Sequence, residues 1–269
     1  MTSATDRTRL FHALHRPGPL ALPNAWDVAS ALIVEAAGAQ AVATTSAGVA
    51  WSLGAADGDH VARDRVVDLV ARIVDAVVIP VSADIETGFG ATADEVAETM
   101  RAIAGAGASG VNIEDGLGGG QRDVAEQVER YEAAREAAPE LYINARIDTF
   151  LRGVGDPETR LARTVERAAK FIEAGASGIF VPGVVDLGTA AELAKNIAAP
   201  LNVLVGSGAP AVAEFAKAGV ARVSLGSAVA EAAYAVARRA AEEMLAKGTY
   251  DSVEGGIDYG DLNALFSRS

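Results

Sequence analysis

Two kinds of apolar pattern alternate along the chain. Ala-rich stretches with a helical period end at a glycine, and a short run of β-branched residues follows at once. The pattern recurs around Gly38, Gly107, Gly175 and Gly219. A glycine that closes a helix just before a buried strand is typical of repeated βα units. The repeat therefore predicts alternating helices and parallel strands, not a sandwich or a helical bundle.

The apolar runs predict eight strands, with helix-length segments between them. The strands are expected at Leu20–Asn24, Ala41–Ser46, Val77–Asp84, Gly110–Glu114, Leu141–Arg146, Gly178–Val181, Leu201–Val205 and Arg222–Leu225. The helices include Asp59–Asp75, Thr92–Ala106, Asp123–Ala138 and Pro157–Ala174, the last with Asp156 as N-cap. No strand is followed by the G-x-G-x-x-G turn of dinucleotide-binding folds.

The predicted architecture is α/β: a (β/α)8 TIM barrel formed by a single domain over residues 1–269. An additional C-terminal helix is expected at Ala228–Lys247, within a tail that spans residues 228–269. That helix either covers the barrel of its own chain or is exchanged between subunits.

Composition excludes several classes of function. Half of the residues are hydrophobic and only 5% are aromatic, so Ala, Val, Leu and Ile must fill the core. The net charge of −13 repels phosphate backbones and acidic lipids, and neither nucleic acid nor a membrane is an expected partner. The absence of cysteine excludes disulfides and thiolate chemistry. The N-terminal residues lack the apolar stretch of a signal peptide, and a cytoplasmic location is expected.

Acidic residues stand where two neighbouring predicted strands end, which is where barrel enzymes place their chemistry. Asp84 and Glu86 are two residues apart and share a face, and Glu114 ends the next strand about 4.8 Å away. Buried carboxylates repel one another, and a hard cation with oxygen ligands removes that repulsion. The pattern predicts a site for Mg2+, with Mn2+ equally compatible. A structural cluster of ion pairs is the alternative.

Arg146, at the end of the fifth predicted strand, is a candidate partner for a substrate carboxylate, since its planar fork suits bidentate binding. Alternatively it only balances Asp84 or Glu114. The segment after the second strand either offers backbone N–H groups to an anion or forms a plain turn. This segment comprises Thr45, Ser46, Ala47 and Gly48. The lysines fall on helices or in the tail, which argues against a Schiff-base aldolase.

Five stretches, taken in order, resemble the isocitrate lyase/phosphoenolpyruvate mutase superfamily over roughly residues 20–230. They are Pro23–Asp27, Thr44–Asp57, Asp84–Gly90, Val111–Asp115 and Asn144–Asp148. The resemblance implies that Asp84 binds Mg2+ directly and that Asp57, Glu86 and Glu114 bind it largely through water. It also implies a chelated 2-oxo acid or related dicarboxylate, held by Arg146 and the amides near Ser46–Gly48. Homotetramers with an exchanged C-terminal helix are a further implication.

The chain departs from named members of that superfamily. The Cys- and His-containing loop of the isocitrate-cleaving lyases is replaced by Gly116–Arg122, in which Gly116–Gly120 forms either a mobile lid or a passive turn. The strand-seven Asn-x-Thr-Glu motif of those lyases is missing as well. The longer Lys-containing loop and the strand-six His of the phosphonomutases are also missing.

The sequence therefore predicts a Mg2+-dependent lyase with Arg146, Glu114 and Asp57 as catalytic residues. Its substrate is expected to be a small 2-oxo or 2-hydroxy (di)carboxylate, cleaved or decarboxylated through a metal-stabilised enolate. One alternative is a P–C bond mutase or hydrolase of the phosphonopyruvate type, with Arg122 as the nearby basic residue. The other is a non-catalytic barrel that binds a 2-oxo acid.

Overall fold

Pro23 divides the first strand of the barrel in two, because proline has no N–H group for the strand ladder. The computed structural model describes residues 3–267. Its strands are β1 (Leu20–Leu22), β2 (Asn24–Ala25), β3 (Val42–Thr44), β4 (Val81–Asp84), β5 (Gly110–Glu114), β6 (Gly116–Leu117), β7 (Gly120–Gln121), β8 (Tyr142–Arg146), β9 (Gly178–Val181), β10 (Leu201–Leu204) and β11 (Arg222–Ser224).

Nine of these strands form one parallel sheet in the order β1-β11-β10-β9-β8-β5-β4-β3-β2, and β6 pairs with β7 as an antiparallel hairpin. Because β1 and β2 are the two halves of one strand, the sheet is a nearly closed barrel. The predicted (β/α)8 TIM barrel with a C-terminal helix is confirmed.

Helices alternate with the strands and cover the barrel. They are α1 (Ala4–Ala13), α2 (Val28–Ala36), α3 (Ser46–Ser52), α4 (Arg63–Ala76), α5 (Ala93–Gly105), α6 (Val124–Ala137), α7 (Arg160–Glu173), α8 (Leu187–Asn196), α9 (Val212–Lys217), α10 (Ala228–Lys247) and α11 (Tyr259–Phe266), with a 3-10 turn at Asp251–Val253. In α4 the buried residues Val66, Leu69, Val70 and Ile73 follow the period of one helix face. Helices of this kind shield the outer surface of the sheet from water.

Two predicted helix starts were wrong. The helix expected from Pro157 begins at Arg160, because the N–H and hydroxyl groups of Thr159 both donate to the Asp156 carbonyl at 3.0 Å and close a turn first. The helix expected from Asp59 begins at Arg63, since Asp59 lies in the left-handed region with φ of 60°. The short helix α3 was not predicted.

Several inward-facing side chains of the central strands are polar. Asn144 donates through Nδ2 to Asn112 Oδ1 at 2.9 Å and to Asn202 Oδ1 at 3.0 Å, so three strands are joined across the interior. The alternating residues, such as Val111 and Ile113, face outward into the main hydrophobic core. The barrel therefore has a hydrogen-bonded interior beneath its carboxyl-terminal mouth.

Aromatic side chains fill the amino-terminal floor of the barrel. The ring of Tyr142 stacks on His15 at 4.0 Å and meets Phe11 edge-on at 5.5 Å. Gly178 makes room for this packing, because a Cβ atom there would lie 2.2 Å from the Tyr142 hydroxyl oxygen. The amino-terminal floor of the barrel is thus packed with aromatic side chains.

The carboxyl-terminal segment leaves the barrel surface after its first turns. In α10 only Ala230 is buried, while Tyr234 packs beside Trp26 and Trp51 with ring centroids 6.4 and 6.0 Å away. Leu265 of α11 packs back against the main core. Within residues 3–267, no helix combines the length and apolarity needed to cross a membrane.

Candidate active site at the mouth of the barrel

A cavity of about 230 Å3 lies among the carboxyl ends of the strands. Most of the residues that were predicted from the sequence contribute to its lining: Thr45, Ser46, Ala47, Asp57, Asp84 and Arg146. Glu86, Glu114 and Gly48 do not line it. The mouth of the barrel thus brings two carboxylates and one guanidinium group together around one small space.

Asp84 occupies the last position of β4 and is held on three sides. Its N–H group donates to Thr44 Oγ1 at 2.8 Å, while its Oδ1 accepts from the Glu86 N–H at 3.1 Å. Its Oδ2 lies 3.4 Å from Asn112 Nδ2. Burial raises the pKa of Asp84, and the charge of Arg146 opposes this effect. The carboxyl group is therefore fixed in position by these contacts.

Glu86 does not line the cavity. Its backbone is left-handed with φ of 52°, and its carboxylate accepts a hydrogen bond from the Asp59 N–H group. The residue is only 5% exposed, and burial raises its pKa to about 8 although the bond from Asp59 works in the opposite direction. Glu86 thus joins the loop that carries Asp57 to the end of β4.

Arg146 ends β8 and is bound by two carboxylates. Its Nη1 lies 2.7 Å from Glu114, and its Nε and Nη2 lie 2.7 and 3.1 Å from Asp148. Burial lowers the pKa of Arg146, but the negative charges of Glu114, Asp148 and Asp84 have the larger combined effect and raise it. The bidentate face of the guanidinium group is therefore taken by Asp148, and only its remaining N–H groups can serve a ligand in the cavity.

Arg152 completes a ring of four charges with these groups. Its Nε lies 2.9 Å from Asp148, and its Nη2 lies 3.4 Å from Glu114. Burial raises the pKa of Glu114 to about 7 even though both arginines oppose the shift. Asp148 and Arg152 were not among the predicted site residues. A local sequence pattern could have identified both residues. Asp148 follows Arg146 by two residues, the spacing of one strand face, and Arg152 follows Asp148 by four residues, the spacing of one helix face.

The carboxylates can be tested as ligands of a divalent cation. Within residues 3–267, no group of three or more acidic or histidine side chains is placed to hold a metal ion together. Asp57 and Asp84 share the cavity, whereas Glu86 and Glu114 are bound to other protein groups. An all-oxygen pair completed by water fits Mg2+, which commonly uses one or two carboxylates.

The segment after β3 offers fewer donors than the sequence suggested. The Thr45 N–H group is engaged with the Ala25 carbonyl at 3.1 Å. Ser46 and Ala47 form the first turn of α3, where N–H groups have no partner within the helix, and both residues line the cavity. Gly48 instead permits close packing, because a Cβ atom there would lie 2.8 Å from Trp26 Cβ.

Comparison with known proteins identifies the family of the chain. The sequence profile described as phosphoenolpyruvate phosphomutase matches residues 11–245. The chain belongs to the phosphoenolpyruvate phosphomutase family. It is thereby a member of the isocitrate lyase/phosphoenolpyruvate mutase superfamily, whose members include lyases and mutases that act on small carboxylates.

Some relatives of this chain have a named activity, and others do not. An uncharacterized protein of Mycobacterium tuberculosis (strain ATCC 25618 / H37Rv) is 37% identical over 94% of this chain and 95% of its own length. The 2-methylisocitrate lyase of Escherichia coli (strain K12) is 32% identical over 70% of this chain and 66% of its own length. A solved structure from Burkholderia cenocepacia J2315, whose role as a lyase or mutase is itself only suggested, is 38% identical with a TM-score of 0.90, and the match covers 98% of this chain and 96% of that one.

The glycine-rich segment of this family member forms the β6–β7 hairpin beside the site. Gln121 anchors the hairpin by donating to Asp115 at 3.0 Å and to Thr149 at 2.8 Å. Gly118 and Gly119 at its tip have positive φ, which glycine tolerates without strain. Whether residues 116–120 move as a lid stays a prediction. His60, which follows Asp57 by three residues in the chain, is exposed and does not line the cavity.

Proposed function

We propose that this chain is a Mg2+-dependent carbon–carbon lyase that acts on a small 2-oxo or 2-hydroxy (di)carboxylate. The observation that carries the proposal is the shared cavity: Asp57, Asp84 and Arg146 line about 230 Å3 of space beside the free N–H groups that begin α3. Such a space admits a small acid and can serve both a cation and a carboxylate. Turnover by decarboxylation or C–C cleavage suits that combination.

In this proposal Asp84 and Asp57 hold Mg2+, or Mn2+, and water completes the coordination. When bound, the cation would supply positive charge next to the substrate oxygens held by the chain. The contact of Glu86 and Glu114 with the cation through water stays a prediction. The chain's own part is to hold the substrate, exclude bulk water and fix the charges in advance.

Arg146 binds the substrate carboxylate through the N–H groups that Glu114 and Asp148 leave free. Glu114 and Asp148 fix the plane of the guanidinium group, so that it need not reorganise when the ligand arrives. The N–H groups of Ser46 and Ala47 are placed to bind a second oxygen. Asp57, Arg146 and Glu114 therefore have roles in binding and orientation.

Decarboxylation of an oxaloacetate-like acid is the reaction class we favour. Among the described residues, the cavity lining contains no histidine, and the chain has no cysteine. A site without those groups suits a reaction that transfers few protons.

P–C bond chemistry is the alternative that the family description supports. However, Arg122 binds Glu126 and does not line the cavity. Arg122 is therefore not placed to bind a phosphonate group in the cavity, which favours cleavage of a C–C bond over P–C chemistry.

A panel assay tests the proposal. Purified protein is offered 2-oxo, 2-hydroxy and phosphono acids, with Mg2+ and with chelator, and pyruvate and phosphate release are measured for the wild type and Asp84→Ala. Metal-dependent pyruvate release from a C–C substrate, lost in Asp84→Ala, supports the lyase. Phosphate release supports the P–C alternative, and ligand binding without turnover supports a non-catalytic barrel.

We also propose that the chain forms homo-oligomers. Several large apolar side chains of α10 and the segment after it are exposed: Tyr234, Met244, Leu245, Tyr250, Ile257 and Phe266. Exposed apolar residues grouped in this way are typical of protein–protein interfaces. Sedimentation of the wild type and of Leu245→Glu tests this point.

A further inference from the structure

The loop that joins β4 to α5 begins directly after Asp84 and comprises residues 85–92. Its backbone turns sharply, because Glu86, Gly88 and Phe89 have positive φ, at 52°, 100° and 51°. At residues with a side chain this conformation is disfavoured, and it persists only where neighbouring contacts impose it. The turns direct three carbonyl groups of the loop to one side chain of α6.

That side chain is Arg130, which is only 1% exposed. Its Nη2 donates to the carbonyls of Thr87 at 2.6 Å and Gly90 at 2.9 Å, and its Nη1 donates to that of Ala91 at 3.1 Å. Burial lowers the pKa of Arg130. Among the ion pairs of residues 3–267, none offers Arg130 a carboxylate. The loop carbonyls therefore take the place of a counter-ion for this buried guanidinium group.

The N–H groups at the end of the loop are bound separately. The Glu95 carboxylate of α5 accepts from the N–H groups of Ala91 and Thr92 at 2.7 and 2.9 Å. These bonds lie within the loop and the helix that follows it. The bonds of Arg130 differ, because α6 belongs to the next βα unit of the barrel and ties the loop to that unit.

Arg130 does not line the cavity, so it has no direct contact with a ligand there. We propose that Arg130 is a positioning residue, which holds residues 87–91 against α6 and thereby fixes the chain that leaves Asp84 at the mouth of the barrel. A site held in this way need not reorganise when a ligand arrives. The inference rests on the proposed function in one respect, namely that Asp84 binds the cation.

Arg135 provides a matched control on the same helix. Its Nη1 donates to the carbonyls of Pro139 and Leu141 at 2.8 Å each, and its Nη2 donates to that of Gly175 at 2.8 Å. Burial lowers its pKa as well. These carbonyls precede β8 and β9, at the amino ends of the strands and away from the mouth. Loss of Arg135 thus removes a similar set of bonds without touching the loop after β4.

The first measurement is amide hydrogen exchange of Gly88, Ala91 and Thr92 in the full chain after treatment with chelator. Each of these N–H groups donates a hydrogen bond in the structure. Arg130→Met should speed their exchange by about tenfold or more, because three carbonyls lose a charged donor. Arg130→Lys keeps the charge but has one donor nitrogen in place of two, and should give a smaller acceleration. Arg135→Met should leave exchange of the loop unchanged.

Two results of the exchange measurement would overturn the inference. Equal acceleration in Arg130→Met and Arg135→Met would mean that general loosening explains the effect. Unchanged exchange in Arg130→Met would mean that the loop keeps its shape without the guanidinium group. Should Arg130→Met not fold, Arg130→Lys against Arg135→Lys makes the same comparison.

The second measurement separates positioning from stability. Denaturant titration should show a lower free energy of unfolding in both Arg130→Met and Arg135→Met, since each leaves carbonyl groups without a donor. In calorimetry the dissociation constant for Mg2+ should rise about tenfold in Arg130→Met and stay within about twofold in Arg135→Met. Equal weakening in both variants would contradict a positioning role. If the wild type binds no Mg2+, the proposed function fails, while the exchange measurement still decides whether Arg130 holds the loop.

Discussion

The two ends of the barrel interior contain ionisable groups of opposite type, acidic at the mouth and basic at the floor. At the mouth, burial raises the pKa of Asp84, and it raises that of Glu86 to about 8 and that of Glu114 to about 7. At the floor, burial lowers the pKa of Arg222 to about 10 and that of His15 to about 3. Both ends are polar and buried, yet only the mouth has an excess of acid.

This difference separates the candidate active site at the mouth from the structural packing at the floor. At the mouth, Asp57 and Asp84 line a cavity, while Glu86 and Glu114 are bound to other protein groups. The floor is packed with rings, and Arg222 there lies 5.9 Å from the centre of the Phe11 ring. Changes at the mouth should therefore alter activity, and changes at the floor should alter stability.

Asp84→Asn should have the largest effect on activity. We expect a loss of about 10²–10³-fold in kcat, because a preorganised charge at the reacting centre is removed. The free energy of unfolding in chelator should stay equal or rise, since a buried carboxylate that burial penalises is replaced by a neutral amide. Exposed Asp94→Asn is the control, and an equal loss of activity there would contradict this assignment.

Tyr142→Ala should have the largest effect on stability. The ring packs on Phe11 and His15, and its removal leaves a cavity in the floor. We expect the free energy of unfolding to fall by about 3–5 kcal/mol. Denaturant titration measures it, and KM of the folded protein should not change. A stable variant with altered KM would mean that the floor shapes the site.

The pH dependence of stability should show the floor separately. His15 has a pKa near 3 when folded and an ordinary value of 6.5 when unfolded, so the unfolded chain takes up the proton first. Stability should fall as pH drops from 6.5 towards 3, by at most about 1.4 kcal/mol per pH unit from this residue. His15→Gln should have a shallower slope in this window. An unchanged slope would mean that His15 is not a neutral buried group.

Gly116→Ala should produce the smallest effect. A Cβ atom there would lie 2.5 Å from Arg152 Nη2, and the flexible side chain of Arg152 must move away from Glu114. We expect activity to fall by a few fold and stability to change by less than about 1 kcal/mol. Gly120→Ala is the control, because its nearest neighbour would be 3.7 Å away. Equal effects in the two variants would show that the position of Arg152 does not matter.

Much of the fold could be predicted because its signals are local. The strands Gly110–Glu114 and Gly178–Val181 and the helix Ala228–Lys247 have the predicted bounds, since apolar runs and glycines mark their ends. The ends of the apolar runs also predicted the positions of Asp84 at the end of β4 and Arg146 at the end of β8.

The direction of the side chains could not be predicted in the same way. Glu86 and Asp59 are 27 residues apart, and their contact depends on left-handed backbone at non-glycine positions that no sequence pattern marks. Arg222 and Asn112 are 110 residues apart and meet only because the barrel closes. Spacing thus identified the groups at the mouth but not which partner each one binds.

Calorimetric titration of Mg2+ into chelator-treated wild type and Asp84→Asn tests the central claim most directly. We expect one site per chain in the wild type and at least about tenfold weaker binding in the variant. Identical binding in the two proteins, or none in either, would contradict a cation held by Asp84 at the mouth of the barrel.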